Sequence, residues 1–456
     1  MSSRDGARAG RRRAGRPLAL PAWWVAAFAA FLLVVVGVVV VVVRSRVGPC
    51  RDELVDHPRN PLLSPAQMKA QPDARLDTLS AAVGAMGPPF SDVVAGVGYD
   101  YDQWLHAYAV EGGVLAFTKN NAPVTLLDGS TLKPRWSLRP DSKRIAWDAS
   151  GHRFLLLDLS AKDATAVSAY DVADGHRVWC ASLDQHQASG DPVATTFLDG
   201  GDVVAALPDG DAKQGRVALT RLAGGTGKTV WSRACSTVAR ADYLGPLTAD
   251  LVLAGGSEEF RLAEQTPDGK GGPVITALSV ADGKPAWTWD ADAGAVVHVV
   301  GVDDGRVVAV ERGADGVRLF ALSAEGKELW STVPEDAAYE ATLRGGVVVT
   351  KSASALHGYD DQTGKQLWKH DVPTDRTYFP YGFTLAQMPS LDDTHVLVPT
   401  TTDLVSLDVR DGTEQHFTLP VDGISTTYWP YQLLASPDLI GVVTNTGAVL
   451  AKRTGG

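Results

Sequence analysis

Residues 222–231 read LAGGTGKTVW, and a glycine-rich turn running into Gly227-Lys228-Thr229 is how many proteins cradle phosphate with backbone N–H groups and a lysine. The P-loop pattern also needs a glycine five residues before Gly227, where this chain has Leu222. The same chain carries GKPAW at 283–287, GKELW at 326–330 and GKQLW at 364–368, so what recurs is glycine followed four residues later by tryptophan. That spacing belongs to a repeat and not to a nucleotide site. Two acidic stretches, PDGDAKQG at 208–215 and DADAG at 290–294, approach calcium loops but lack the alternating Asp/Asn spacing and the distal glutamate. Aspartates in hairpin turns account for them, as they do for Asp303, Asp304, Asp392 and Asp393. The ten histidines and three cysteines form no cluster with zinc spacing. The sequence therefore predicts no catalytic residue, no metal and no cofactor.

The cysteines are Cys50, Cys180 and Cys235. Cys180 directly follows Trp179 and Cys235 lies four residues beyond Trp231, at the ends of equivalent strands in consecutive repeats. A Cys180–Cys235 bridge with Cys50 left over is one reading and three separate thiols the other, because connectivity is not written in a sequence.

The elements behind the repeat emerge on alignment. The segments PVTLLDGSTLKPRW, AVSAYDVADGHRVW, VALTRLAGGTGKTVW, VITALSVADGKPAW, VRLFALSAEGKELW, SALHGYDDQTGKQLW and DLVSLDVRDGTEQHF are seven copies of a strand, a tight turn and a second strand. Six of them end on Trp136, Trp179, Trp231, Trp287, Trp330 and Trp368; the last has His416 there. A ring placed identically in successive sheets can dock on its neighbour, stabilising by on the order of 2–3 kcal/mol each. A further apolar run precedes each turn, at 113–119, 153–159, 202–208, 250–256, 306–312, 346–352, 395–401 and 439–445, which makes eight. The strand after it also has eight copies if 448–454 is included, but the outer strand has seven. Residues 92–99, DVVAGVGY, have no other assignment and would supply the eighth by pairing with the C-terminal run, closing a ring. The expected fold is all-β, an eight-bladed β-propeller over 92–456, with seven blades as the fallback.

The turn consensus, clearest in ALSVADGKPAW, ALSAEGKELW and GYDDQTGKQLW, resembles the repeats of the PQQ-like β-propeller family, which includes quinoprotein dehydrogenases and BamB-like assembly lipoproteins. The resemblance implies the propeller, and it implies that a quinoprotein member would carry an adjacent cysteine pair stacking on pyrroloquinoline quinone (PQQ) above a calcium ion. No two cysteines are adjacent here. The expectation is a non-catalytic protein- or ligand-binding or scaffolding module; a PQQ-dependent oxidoreductase or a ligand sensor is the alternative.

For binding, three connections stand out. GYDYDQW at 98–104, TYFPY at 377–381 and TYWPY at 427–431 each precede the first strand of a repeat. On a closed ring they would serve successive blades and gather Tyr99, Tyr101, Trp104, Tyr378, Phe379, Tyr381, Tyr428, Trp429 and Tyr431 on one face, suited to an envelope protein, a peptide or a glycan. The competing reading packs these rings between blades.

The amino-terminal end is organised differently. Residues 17–43 contain no charge and are long enough as a helix to cross a hydrocarbon core of ~30 Å. Residues 1–16 form a basic tail with Arg4, Arg8, Arg11, Arg12, Arg13 and Arg16, which places this end in the cytoplasm and the rest outside the cell membrane as a single-pass protein. Residues 44–91, rich in proline and charge, read as an extracytoplasmic linker. Residues 1–46 hold eight arginines and one acid, so the remaining 34 basic and 52 acidic residues give −18, a charge that repels phosphate backbones and excludes nucleic acid as a partner.

Overall fold

The computed structural model describes residues 53–55, 90–98, 105–118, 123–131, 133–139, 144–149, 152–158, 165–183, 195–208, 217–234, 243–255, 274–291, 295–334, 340–352, 354–372, 394–399, 403–418, 430–435, 439–444 and 447–453. They are almost entirely antiparallel strands; one 3-10 turn, Asp199–Gly201, is the sole helical element among them. The apolar stretch 17–43 lies outside the described residues, within which no helix is long and apolar enough to cross a membrane.

The first two strands, β1 (Glu53–Leu54) and β2 (Phe90–Gly98), belong to different sheets. The first sheet runs β3 (Leu105–Val110), β4 (Gly113–Thr118), β5 (Val124–Asp128) and β6 (Pro134–Arg139), with β1 added beyond β6. The second is β7 (Arg144–Ala149), β8 (Arg153–Asp158), β9 (Thr165–Asp171) and β10 (Arg177–Leu183). The third is β11 (Thr195–Phe197), β12 (Val203–Pro208), β13 (Val217–Leu222) and β14 (Thr229–Ala234). The fourth is β15 (Tyr243–Thr248), β16 (Leu251–Gly255), β17 (Val274–Ser279) and β18 (Pro285–Asp290). The fifth is β19 (Val296–Asp303), β20 (Arg306–Gly313), β21 (Gly316–Leu322) and β22 (Glu328–Thr332). The sixth is β23 (Glu340–Arg344), β24 (Val347–Lys351), β25 (Ala355–Asp360) and β26 (Gln366–Asp371). The seventh shows three strands, β27 (His395–Pro399), β28 (Asp403–Asp408) and β29 (Glu414–Thr418). The eighth is β30 (Pro430–Ala435), β31 (Leu439–Thr444) and β32 (Gly447–Arg453), and its fourth strand is β2.

Pairing of β2 with β32 brings residues 90–98 against 447–453, Asp92 opposite Lys452 and Val97 opposite Ala448. The strand is therefore the 92–99 run of the sequence, begun two residues earlier. First strands of successive sheets lie side by side, β7 with β11, β11 with β15, β15 with β19 and β19 with β23, and β30 lies beside β3.

Burial explains which residues form which strand. Second and third strands are covered on both faces by neighbouring sheets, so they read as continuous apolar runs: Val307–Val310 of β20 and Val347–Val349 of β24 are all buried. Fourth strands are covered less and alternate, as Pro285–Asp290 does. Among the described residues the apolar core is divided between the sheets. Each apolar cluster joins two consecutive sheets, as where Leu115, Leu126, Trp136 and Leu138 of the first meet Phe154, Leu156 and Tyr170 of the second. The next joins Leu155, Val167, Ala169 and Trp179 to Val203, Ala205 and Leu222.

The segment 44–91 expected as linker contributes β1, with Glu53 opposite Arg139 and Leu54 opposite Leu138, and Val55 N donates to Ser137 O at 2.8 Å.

Candidate functional site

The indole contacts are the most regular feature of the molecule. In each fourth strand from the first sheet to the sixth, the register slips at the residue before the tryptophan, a β-bulge that turns the ring toward the next sheet. There it lies over the glycine of that sheet's turn. A Cβ on Gly175 would stand 2.7 Å from the Trp136 ring, one on Gly227 2.5 Å from Trp179, and one on Gly283 2.6 Å from Trp231. Gly326, Gly364 and Gly412 receive Trp287, Trp330 and Trp368 in the same way. Each indole Nε1 then donates to a backbone carbonyl in the same turn: Val172 O at 2.9 Å, Gly224 O at 3.0 Å, Val280 O at 2.8 Å, Ala324 O at 2.7 Å, Asp361 O at 2.9 Å and Val409 O at 2.8 Å, in chain order.

Glycine thus meets two demands here. Gly227 sits at φ +67°, where a side chain is strained, and the space its Cβ would fill belongs to the neighbouring indole. The second demand has no local signature in the sequence, because the ring that Gly227 receives lies 48 residues away in the chain.

Guanidinium groups reinforce several of these joints. Arg153 Nη1 donates to Gly201 O at 2.9 Å and to Gly224 O at 2.7 Å, sharing the latter with Trp179. Arg221 reaches Val280 O at 2.6 Å, sharing it with Trp231, while its Nε donates to Asp202 at 2.8 Å. Arg306, which like Arg153 opens a second strand, donates to the Asp361 carboxylate at 3.0 Å. Asp361 has 2% of its side chain exposed, and burial pushes its carboxyl above the ordinary carboxylate range against the pull of Arg306. Burial also weighs against the charged form of Arg306, but Asp361, Asp303 and Asp304 outweigh it and hold the guanidinium above its usual value.

Cys180 is disulfide-bonded. It stands opposite Ser168, between Tyr170 and Ala166, on the face of the second sheet that packs on the first. Trp179 and Ala181 occupy the other face, toward the third sheet. Corresponding places in the first and third sheets hold Ser137 and Ser232, each hydrogen-bonded to a threonine hydroxyl, Thr125 at 2.8 Å and Thr220 at 2.9 Å. Cys50 and Cys235 lie outside the described residues.

Of the aromatic positions, Tyr99, Tyr101, Trp104, Tyr378, Phe379, Tyr381, Tyr428 and Trp429 lie outside the described residues, and Tyr431 is the second residue of β30. The acidic stretches 208–215 and 290–294 lie mostly outside them as well. Among the described residues no group of three or more His, Cys, Asp or Glu side chains is placed to hold a metal ion. A quinone stacked on adjacent cysteines finds no fit: the one described cysteine lies in the outermost strand of its sheet and is bonded in a disulfide.

No curated protein sequence matches the chain. Among solved structures, BamB from Moraxella catarrhalis superimposes with a TM-score of 0.50 at 15% identity, over 79% of this chain and 99% of that one. A quinohemoprotein alcohol dehydrogenase, ADHIIG from Pseudomonas putida HK5, gives 0.48 at 13% identity over 79% and 76%, and the Dos1 propeller gives 0.49 at 10% over 80% and 94%. At such identities the likeness to BamB speaks for the fold alone. The family model described as outer membrane protein assembly factor BamB matches residues 80–265 and 270–420, most of the chain. With its repeated strands, turn glycines and interlocking indoles, the chain belongs to this PQQ-like β-propeller family.

Proposed function

We propose that the chain is a non-catalytic binding or scaffolding module, an eight-bladed propeller held outside the cell membrane by the apolar stretch 17–43. Its partner is an envelope protein, peptide or glycan met by the aromatic connections. The observation that carries this reading is the placing of β3 beside β30, the first strands of the first sheet and of the eighth, which the β2–β32 pairing completes. Residues 99–104 lead directly into β3 and residues 428–429 into β30, so two of the aromatic connections enter neighbouring first strands. The third, 377–381, lies between β26 and β27, in the connection to the seventh sheet. Family membership supports assembly or scaffolding work, since the family is described by an assembly factor.

Crosslinking and mass spectrometry on the membrane-bound chain test it. The wild type is expected to give a partner crosslink that Tyr381→Ala and Tyr431→Ala weaken without a change in melting temperature. Unchanged crosslinks with a large loss of melting temperature would return these rings to a packing role. Alcohol- or sugar-dependent dye reduction by the purified chain after addition of PQQ and Ca²⁺ would replace the binding module with a quinoprotein oxidoreductase.

A further inference from the structure

Five of the six indoles donate to the carbonyl of an uncharged residue, Val172, Gly224, Val280, Ala324 or Val409; the sixth, Trp330, donates to that of Asp361. The main chain of Asp361 ties the joint together from two sides. Its carbonyl accepts from Trp330 Nε1 of the fifth sheet at 2.9 Å, and its N–H donates at 3.1 Å to Gly346 O, just before β24 of the sixth. The carboxyl is 2% exposed, with Oδ1 3.6 Å from where a Gly346 Cβ would stand. One joint of the six thus has a buried ionisable group at the residue that receives the indole.

Its surroundings set one cation among three carboxylates. Arg306 Nη2 donates to Asp361 Oδ2 at 3.0 Å and to Asp303 Oδ2 at 3.3 Å, and Nη1 reaches Asp304 Oδ2 at 3.3 Å. A single guanidinium nitrogen therefore serves two carboxylates, while Arg306 Nε is buried without a hydrogen-bond partner. Asp303 also hydrogen-bonds the Asp361 carboxyl, and a contact between two carboxyls needs a proton on one of them. Asp303 is half-exposed and Asp304 exposed, so both can stay hydrated as anions; Asp361 cannot, which makes it the group that gives up its charge. The other charged groups on the elements packed here are engaged elsewhere or face solvent. Asp360 accepts from Gln362 N and Thr363 N, Glu325 accepts from the Ser323 hydroxyl, Arg344 at the end of β23 donates to Leu343 O, and Lys327 and Lys365 are exposed. Arg306 is the one ion-pair partner of Asp361 among the described residues.

We propose that the joint between the fifth and sixth sheets is a proton-operated latch. With a proton held between Asp361 and Asp303, the sixth turn stays seated beneath Trp330; when that proton passes to water, two carboxylates repel each other across one guanidinium nitrogen and this joint loosens while the other five do not. Burial holds the Asp361 carboxyl above its ordinary value, so the folded chain keeps a proton that the unfolded chain has already lost. The latch is accordingly tightest in acid. It weakens as pH rises from the ordinary carboxylate range to the raised value and changes no further beyond it. The inference goes beyond the binding-module reading and makes no use of the aromatic connections.

Hydrogen exchange of the full-length chain in detergent, followed by mass spectrometry at pH 5 and pH 8 and corrected for the intrinsic rate of exchange, tests the latch. Residues 360–365, the sixth turn, are expected to open more often at pH 8, by up to about tenfold for each pH unit by which the carboxyl is raised. Residues 279–284, the fourth turn, whose Val280 O receives Trp231, are expected to keep one protection at both pH values. Asp361→Asn, which cannot ionise, is expected to hold the pH 5 protection at pH 8; Asp303→Asn, which removes the competing carboxylate, narrows the difference, and Asp304→Asn leaves it as in the wild type. Melting temperatures at pH 5 confirm that the variants fold. Equal protection of residues 360–365 at both pH values, a pH dependence that survives Asp361→Asn, or the same dependence in residues 279–284 overturns the proposal. Should Asp361→Asn fail to fold, Asp303→Asn decides, and an unchanged difference in that variant overturns it.

Discussion

Replacing Gly227 with alanine separates the two roles of the turn glycines. At φ +67° an L-residue costs about 1 kcal/mol. Its Cβ would also stand 2.5 Å from Cε3 and 2.8 Å from Cδ2 of Trp179, so the ring must move and its 3.0 Å hydrogen bond to Gly224 O is lost. Overpacking of this kind costs ~1–3 kcal/mol and the bond about 1 kcal/mol. The sum is roughly 3–5 kcal/mol. Gly200 supplies the control: its φ is +82°, but a Cβ there meets nothing within 4 Å, so Gly200→Ala is expected to cost only the ~1 kcal/mol of strain. In a Trp179→Ala background the Gly227→Ala cost is expected to fall to the same ~1 kcal/mol, giving a coupling of ~2–4 kcal/mol in a double-mutant cycle. Urea midpoints followed by tryptophan fluorescence measure all four variants. Equal losses at Gly227 and Gly200, or an unchanged Gly227→Ala cost when the indole is gone, would refute the docking argument.

Three further outcomes follow from the same geometry. Arg306→Met leaves the buried Asp361 carboxyl without its main cation and is expected to destabilise by on the order of 3 kcal/mol at pH 8. Because burial raises that carboxyl, its ionisation costs stability as pH rises, so the deficit shrinks as pH falls and Asp361 is protonated; urea melts at pH 8 and pH 4 check this. Asp128 is held down at about 2, from 3.8, first by the Ser130 hydroxyl and then by Thr131. Its contribution is present above the unfolded value and lost as pH falls through about 2, so Asp128→Asn, costing less than about 1 kcal/mol at pH 6, is expected to match wild type near pH 2 in thermal melts. Cys180 faces away from the third sheet, so in an unreduced tryptic digest the peptide ACSTVAR, residues 234–240, is expected as a free alkylated thiol; its recovery in a cross-link to the Cys180 peptide would refute that orientation.

The strands were legible because the pattern repeats: eight apolar runs, and in-phase tryptophans that only a stack of equivalent sheets explains. The pairing of the two distant ends was legible by subtraction, one outer strand being missing and one run unassigned. What escaped was whatever depends on two sheets at once. The glycine that receives an indole, the carbonyl shared by Trp179 and Arg153, and the Arg306–Asp361 pair each join residues dozens of positions apart with no local signature. Strand β1 escaped for the opposite reason, since two residues have no periodicity to read.

The pairing of β2 with β32 also has a temporal meaning. Residue 98 leaves the ribosome about 350 residues before its partner at 447 exists, so the earlier strand waits with an open edge while seven sheets are made. Joining such remote segments directly from a random chain would cost on the order of 5 kcal/mol of closure entropy. If each new sheet instead locks its turn beneath the preceding indole, curvature accumulates step by step, and the final zip becomes a local event between neighbours. Damage to an early joint such as Trp136 on Gly175 would then surface as slow maturation and aggregation of nascent chains before any loss of equilibrium stability is seen.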